Sequence, residues 1–303
     1  METNRLAPVA LFVYNRPIHT QKTIEALQAN FLSTDSDLYI FSDGFKNTDD
    51  KGQVIQVREI IRKTTGFKNV KIFERESNIG LANSIIGGVT EIINQYNKII
   101  VLEDDIVTSR NFLTYMNTCL DFFENQTDIY SVTGFNIPIK VPAKYSLPIY
   151  LSKRPSSWGW ATWKNRWEHV DWEVKDFNVL LKNKKIQKKF NEGGDDLFRM
   201  LKQQQQGQIN SWAIRWAYHH FINKGYCIFP VVSKLNNIGT DNSGVHFKKS
   251  TKKYYVEMDK SDIPIKLIDN IRPDYEMELI LRTFYKYNIF KKFKMGIRNW
   301  FNI

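Results

Sequence analysis

The stretch "IIVLEDDIVTSRNF", residues 99 to 112, sets three consecutive carboxylates, Glu103, Asp104 and Asp105, directly behind the aliphatic run Ile99 to Leu102. A short, nearly continuous apolar run reads as a strand covered on both faces, the pattern of a parallel sheet. Adjacent carboxylates at a strand end oppose one another's ionisation, so the cluster needs a reason. Helix capping is one, but Thr108 and Ser109 are better placed to cap the helix that starts near Asn111. A general acid/base pair is a second. A divalent cation is the third and has the sharpest physical motive: Mg²⁺ or Mn²⁺ takes hard oxygen ligands, commonly one or two carboxylates plus substrate phosphates, and neutralises the repulsion.

Outward from this stretch, the preceding hundred residues alternate β-rich runs with helical ones. Strands are expected at Val9 to Tyr14, Asp37 to Ser42, Val70 to Arg75 and Ile99 to Leu102, with helices at Thr20 to Ala29, Gly52 to Lys63 and Leu81 to Tyr96 between them. That is an α/β fold with a Rossmann-like, mainly parallel sheet flanked by helices. Ligands gather at the carboxyl ends of such strands, where Asn15-Arg16, Asp43-Gly44, Glu74-Arg75 and Glu103-Asp104-Asp105 all fall. After Asn111 the texture changes to a helix, Phe112 to Glu124, a strand, Ile129 to Gly134, and a Pro- and Trp-dense stretch through Trp172. Helices at Asp195 to Gln206 and Trp212 to Asn223, a strand at Tyr226 to Val232 and a Gly/Asn-rich loop ending in His246 follow. Trp158, Trp160 and Trp163 fit a sugar platform and a hydrophobic core equally well, since a ring face packs on the apolar face of a pyranose.

The 303 residues, 42% hydrophobic and 14% aromatic, can bury a sizeable core. With 43 Lys and Arg against 32 Asp and Glu, the net charge of +11 favours an anionic partner. Cys119 and Cys227 lie far apart with no CxxC or His-rich spacing, which points to neither a disulfide framework nor a structural zinc site and fits a reducing compartment. No stretch approaches the ~18 apolar residues of a membrane span, and the run Pro8 to Tyr14 is too short for a signal sequence. The expected location is the cytoplasm. From Arg282 the tail carries Lys and Arg without acid, interleaved with Phe284, Tyr285, Tyr287, Phe290, Phe293, Trp300 and Phe301. This suits a basic amphipathic helix lying in an anionic membrane interface; a terminal helix docked on the protein's own core is the alternative. The basic residues elsewhere are scattered, and no nucleic-acid-binding motif is found.

The runs "VALFVYNRPIHTQKTIEAL", "DLYIFSDG", "KIIVLEDDIVTSRNFLTYMNTCLDFF", "IYSVTGFN" and "SSWGWATWKNRW" resemble the GT-A-fold, nucleotide-sugar-dependent glycosyltransferases, nearest to the Golgi N-acetylglucosaminyltransferase I group and to bacterial family-2-like enzymes of capsule and O-antigen synthesis. The resemblance covers roughly residues 8 to 247 and leaves the tail uncovered. It implies a GT-A domain over residues 1 to 250, with a nucleotide-sugar half at 1 to 108 and an acceptor half at 109 to 250; the basic aromatic tail, not the resemblance, makes the extension at 251 to 303 an expected helical, membrane-associating segment. It implies that Arg16 and Asp43, with Asn15 beside them, contact the nucleotide, that Glu103 and Asp104 face ribose and donor sugar, that Asp105 is a direct ligand of Mn²⁺ or Mg²⁺, and that His246 completes metal or diphosphate binding. The function implied is transfer of a sugar, UDP-linked, to a saccharide acceptor. With the aromatic acceptor half (Trp158, Trp160) and the basic tail, the expected acceptor is lipid-linked, in bacterial surface polysaccharide synthesis on the inner face of the cell membrane.

An inverting enzyme, the expected course, needs a base opposite the leaving group, whereas the retaining alternative needs no such base. The family's position for it maps onto Trp212-Ala213-Ile214-Arg215, which has no carboxylate, so the chain departs from the pattern. Asp195 and Asp196 in "GGDD" resemble a Gly-Gly-acid signature and are the leading candidates, with Asp171 and Glu173 behind them and a helix N-cap as the plain alternative. Two other functions compete: a non-catalytic nucleotide- or glycan-binding component of a membrane assembly, and a nucleotidyltransferase. The latter is disfavoured because no Gly-rich basic loop follows the first strand.

Overall fold

The structure is a computed structural model that describes residues 5–241 and 253–286. The first half runs β1 (Val9–Val13), α1 (Pro17–Gln28), β2 (Asp37–Ser42), α2 (Thr48–Arg62), β3 (Asn69–Glu74), α3 (Leu81–Tyr96) and β4 (Lys98–Glu103), as the alternation requires. The second half adds β5 (Ile106–Thr108), α4 (Phe112–Phe122), β6 (Ile129–Thr133), β7 (Ile149–Ser152), β8 (Trp160–Trp163) and α5 (Lys164–Trp167). It continues with α6 (Phe177–Lys182), α7 (Lys184–Phe190), α8 (Leu197–Gln205), α9 (Trp212–Ile222), β9 (Tyr226–Pro230), β10 (Leu235–Asn237) and, after the undescribed segment, α10 (Tyr275–Phe284).

One eight-stranded sheet in the order β3-β2-β1-β4-β8-β6-β9-β7 spans both halves. The β3-β2-β1-β4 block is parallel. Because β8 is antiparallel to both β4 and β6, those two strands point the same way, and β9 runs parallel to β6. Six carboxyl ends therefore open at one end of the sheet. A two-stranded antiparallel ribbon, β5 with β10, stands at that end, directly beyond Asp105.

Alternating side chains on each strand go to opposite faces. Val9, Leu11, Leu38, Ile40, Ile100 and Leu102 meet α1, α2 and α4 on one face, while Ala10, Phe12, Phe41, Ile99 and Val101 meet α3 and α9 on the other. On that second face Phe12, Phe41 and Phe73, aligned in register, stack at 4.9 and 4.7 Å. Gly88, mid-helix in α3, is explained by this ladder: a Cβ there would lie 2.8 Å from the Phe12 ring.

Two expectations change. Thr108 and Ser109 do not cap α4. The Leu113 amide donates instead to Asn30 Oδ1 at 2.9 Å, and the Ser109 hydroxyl donates to Asn111. A side chain some eighty residues away supplies the cap. The C-terminal extension is not helical throughout either. Among its described residues, 253 to 274 form no helix, and α10 docks through Met277 and Leu281 on the first core. The segment is pinned by a buried ion pair of Lys234 with Asp259, to which Asn111 also donates at 2.9 Å. No helix among the described residues is long and apolar enough to cross a membrane.

Candidate active site

The three acids lie where the sequence puts them, at the carboxyl end of β4 and beside that of β1, with Glu103 in register with Phe12. Asp104 and Asp105 are buried. The Tyr14 amide donates to Asp104 Oδ2 at 3.3 Å, and the Thr23 hydroxyl of α1 donates to the Asp104 carbonyl at 2.8 Å. Arg16, the residue before Pro17 at the start of α1, turns its guanidinium onto the cluster: Nη2 contacts Asp104 Oδ1 and lies 3.0 Å from Asp105 Oδ2. Its Nη1 is buried without a hydrogen-bond partner among the described residues. Among the described residues one guanidinium faces three carboxylates, which leaves this part of the site short of positive charge. Burial, then the charges of Asp105 and Asp104, push Glu103 well above the usual carboxylate range; burial also lifts Asp104, against the pull of Arg16.

The ribbon of β5 and β10 brings a strap, residues 238 to 241, over these groups. The Ile238 amide donates to the Asp105 carbonyl at 2.9 Å, and Asp241 reaches His19 at 3.1 Å. Between them Gly239 passes so close that a Cβ would stand 2.2 Å from Asp105 Oδ2 and 2.8 Å from Arg16 Nη1. The sequence marks this loop only as Gly/Asn-rich; its place over Asp105 follows from long-range pairing. His246, a few residues farther along the sequence, lies outside the described residues.

Among the described residues no group of three or more His, Cys, Asp or Glu side chains is arranged to hold a metal. Asp105 offers a divalent cation one carboxylate, which suits an ion that takes most of its ligands from substrate phosphates and water. The deficit of positive charge around the three acids fits such an ion, and in the present state Arg16 occupies Asp105 Oδ2.

The remaining candidates separate clearly. Asp43 is buried, and its carboxylate accepts from the amides of Gly44, Ile79 and Gly80 at 3.0 to 3.1 Å, so it shapes the loop before α3 rather than presenting free oxygens. Asn15 donates to Asp50 Oδ1 at 2.9 Å and Tyr14 to Asp50 Oδ2 at 2.8 Å. Burial and Asp50 push the Tyr14 phenol up to about 12. Asp50, in the first turn of α2, thus organises the β1 end, a role its sequence position does not announce.

Trp160 is 1% exposed and stacks on Trp212 at 5.0 Å with Trp167 and Trp216 beside it; it is core, and no sugar can reach its face. Trp158 is half-buried near the carboxyl end of β6, edge-on to Phe135 and Tyr254, with its carbonyl accepting from the Thr133 hydroxyl at 2.9 Å. Asp196 holds both guanidinium arms of Arg154 at 2.7 and 2.9 Å, and Arg154 in turn stacks on Tyr285 at 4.0 Å. Asp195 faces Arg282 at 3.8 Å. Arg154 follows β7, the edge strand four places from β4, about 19 Å across the sheet at ~4.8 Å per strand. Both aspartates are therefore engaged in ion pairs beside the sheet edge. Asp171 accepts the amides of Glu173 and Lys175 and closes a turn, and Glu173 is exposed.

No protein-family model and no curated protein matches the sequence. Among solved structures, the chain is similar to the Pyrobaculum calidifontis mannosyltransferase PcManGT in complex with GDP-Man and Mn²⁺, at 12% identity and a TM-score of 0.38 over 54% of this chain and 46% of that one. It is also similar to S. aureus TarS, at 10% identity and 0.41 over 75% and 59%, and to an active-site mutant of LgtC, at 9% and 0.35 over 57% and 65%. The chain thus spans roughly half the length of the first two structures, and likenesses at these scores carry no functional argument.

Proposed function

We propose that this chain is a cation-dependent glycosyltransferase that moves a sugar from a nucleoside diphosphate sugar, UDP-linked, to a saccharide acceptor. The meeting of Glu103, Asp104 and Asp105 with Arg16 at the carboxyl ends of β4 and β1 carries this reading. An excess of carboxylate at a strand end is what a diphosphate with its divalent cation complements, and a guanidinium already there can turn to a phosphate. In this reading Asp105, with His246, holds Mn²⁺ or Mg²⁺, Glu103 and Asp104 contact ribose and donor sugar, and Asn15 and Arg16 border the nucleotide. Asp43 acts through the loop it fixes. When bound, such a cation would neutralise charge developing on the leaving diphosphate.

Trp158 remains as a platform for the acceptor sugar. The acceptor is proposed to be lipid-linked and the setting bacterial surface polysaccharide synthesis, because the basic aromatic tail suits an anionic membrane face. An inverting course requires a base, and both leading candidates are tied in ion pairs beside the sheet edge, four strands from β4. That engagement is also the observation that favours the second reading, a non-catalytic nucleotide- or glycan-binding component. Incubation with a panel of nucleotide sugars and Mn²⁺ separates the two. Release of nucleoside diphosphate by the wild type and its loss in Asp105→Ala supports the enzyme, whereas binding without turnover supports the binder.

A further inference from the structure

Between Asp176 and Glu192 the chain has no acid and carries Lys182, Lys184, Lys185, Lys188 and Lys189. All five lysines are exposed, and none forms an ion pair with a described acid. Four of them, at positions 184, 185, 188 and 189, fall on one side of α7, while Gln187 and Phe190 turn inward. Beside them α6 exposes Val179 (61%) and Leu181 (39%) and buries Leu180.

The surface is held rigidly. Asn183 ends α6 and begins α7, its side chain accepting from the amides of Lys185 and Ile186 at 3.0 and 3.1 Å. Gln187 donates back to the carbonyls of Leu180 and Leu181 at 3.0 and 2.8 Å, and Leu180 and Phe190 pack with Tyr218 in their own core. The five cations therefore sit on a fixed corner rather than on a loose loop.

Its position adds to this. The turn 191 to 193 packs against both α7 and α10. Lys153 bridges Glu192 and Glu278 at 2.9 and 3.6 Å, and Arg282 reaches Asp195. The lysine corner thus adjoins the helix from which the basic tail continues.

We propose that the α6-α7 corner is a docking surface for an anionic phospholipid bilayer, lying beside α10 and separate in sequence from the basic tail. Lysines near such a surface contribute about 1 kcal/mol each, and neighbouring exposed aliphatic side chains enter the interface. Single-stranded nucleic acid, the other polyanion, is bound with stacking aromatics, and the exposed apolar residues here are aliphatic. The inference shares its partner with the membrane reading of the tail but rests on different residues.

The test is flotation of the full chain with vesicles of phosphatidylglycerol and phosphatidylcholine, and with phosphatidylcholine alone. Three proteins are compared: wild type, a quadruple variant K184Q/K185Q/K188Q/K189Q, and a tail variant K291Q/K292Q/K294Q/R298Q. Partition of the quadruple variant to anionic vesicles should fall at least about tenfold, and V179S/L181S should weaken binding without changing its salt dependence. An unchanged quadruple variant alongside a defective tail variant overturns the corner and leaves the tail reading standing. A wild type that ignores anionic vesicles overturns both. RNA binding by the wild type, lost in the quadruple variant and without vesicle binding, overturns the bilayer in favour of a nucleic acid.

Discussion

Arg16 Nη2 lies 3.0 Å from Asp105 Oδ2, a link between the ends of two adjacent parallel strands and, among the described residues, the positive charge in contact with a cluster of three acids. The guanidinium contacts the carboxylate oxygen that would otherwise be open to a cation. Removing one partner of such a pair leaves the other buried and uncompensated, at about 3 to 5 kcal/mol when fully buried and less in a partly open site. Arg16→Gln is therefore expected to lower stability by about 1 to 3 kcal/mol. It should also gain more in melting temperature from Mn²⁺ alone than the wild type does, which thermal unfolding with and without the ion measures. Equal shifts in both proteins would separate Arg16 from cation binding.

Gly239 is held to glycine by contact rather than by backbone angle. In Gly239→Ala the new methyl would meet Asp105 Oδ2 at 2.2 Å and Arg16 Nη1 at 2.8 Å, so the strap must lift. Overpacking of this kind costs about 1 to 3 kcal/mol. Urea unfolding should show that loss, and limited proteolysis should cut faster near residue 239 with no change at the sheet's far edge.

The pH dependence of folding has a marked contribution from α9. Burial pushes His219 down to about 4 and His220 to about 3; His220 sits between the Ser131 hydroxyl and the Trp216 carbonyl, at 2.9 and 3.0 Å. Both are depressed, so below about pH 6.5 the unfolded chain takes up protons that the folded chain refuses. Stability is complete above that value and falls as pH drops toward 4, by at most about 1.4 kcal/mol per histidine per pH unit. Glu103 and Asp104, raised in the folded state, act with the opposite sign, so the comparison must be between variants. His219→Phe should flatten the fall in unfolding free energy between pH 6.5 and 4.5 relative to wild type; an unchanged slope would show that the imidazole is already charged when buried.

The two tryptophans of the "WGW" segment should part company. Trp160→Ala empties the centre of a four-indole cluster and is expected to cost about 3 to 5 kcal/mol. Trp158→Ala should cost less, keep nucleotide-sugar hydrolysis and lower transfer to a saccharide acceptor. Equal destabilisation of the two with intact transfer would remove Trp158 from the acceptor site.

Much of this was legible along the chain. The alternation up to residue 103 is local, and a doubly covered strand declares itself by its apolar run, so the sheet's parallel half and the place of the acids follow directly. The chain is less explicit where distant segments meet. Asn30 capping α4, Asp50 binding Tyr14 and Asn15, and Gly239 lying on Asp105 each join residues far apart with no periodic signature. Trp160 fits a platform and a core alike until the neighbouring indoles are in place. Asp195 and Asp196 resemble a catalytic motif by spacing alone, and only the fold reveals their arginine partners. His246 and the tail beyond residue 286 lie outside the described residues.

The central claim is that Asp105 ties a nucleoside diphosphate sugar to the sheet through a divalent cation. Ligands that bind only the folded state raise its apparent stability. Melting temperature should therefore be measured with UDP-sugars, with Mn²⁺, and with both, for wild type and Asp105→Asn. The expected result is a shift for wild type that requires both ligands together and vanishes in Asp105→Asn. A shift that survives in Asp105→Asn, or none with any nucleoside diphosphate sugar, would contradict it.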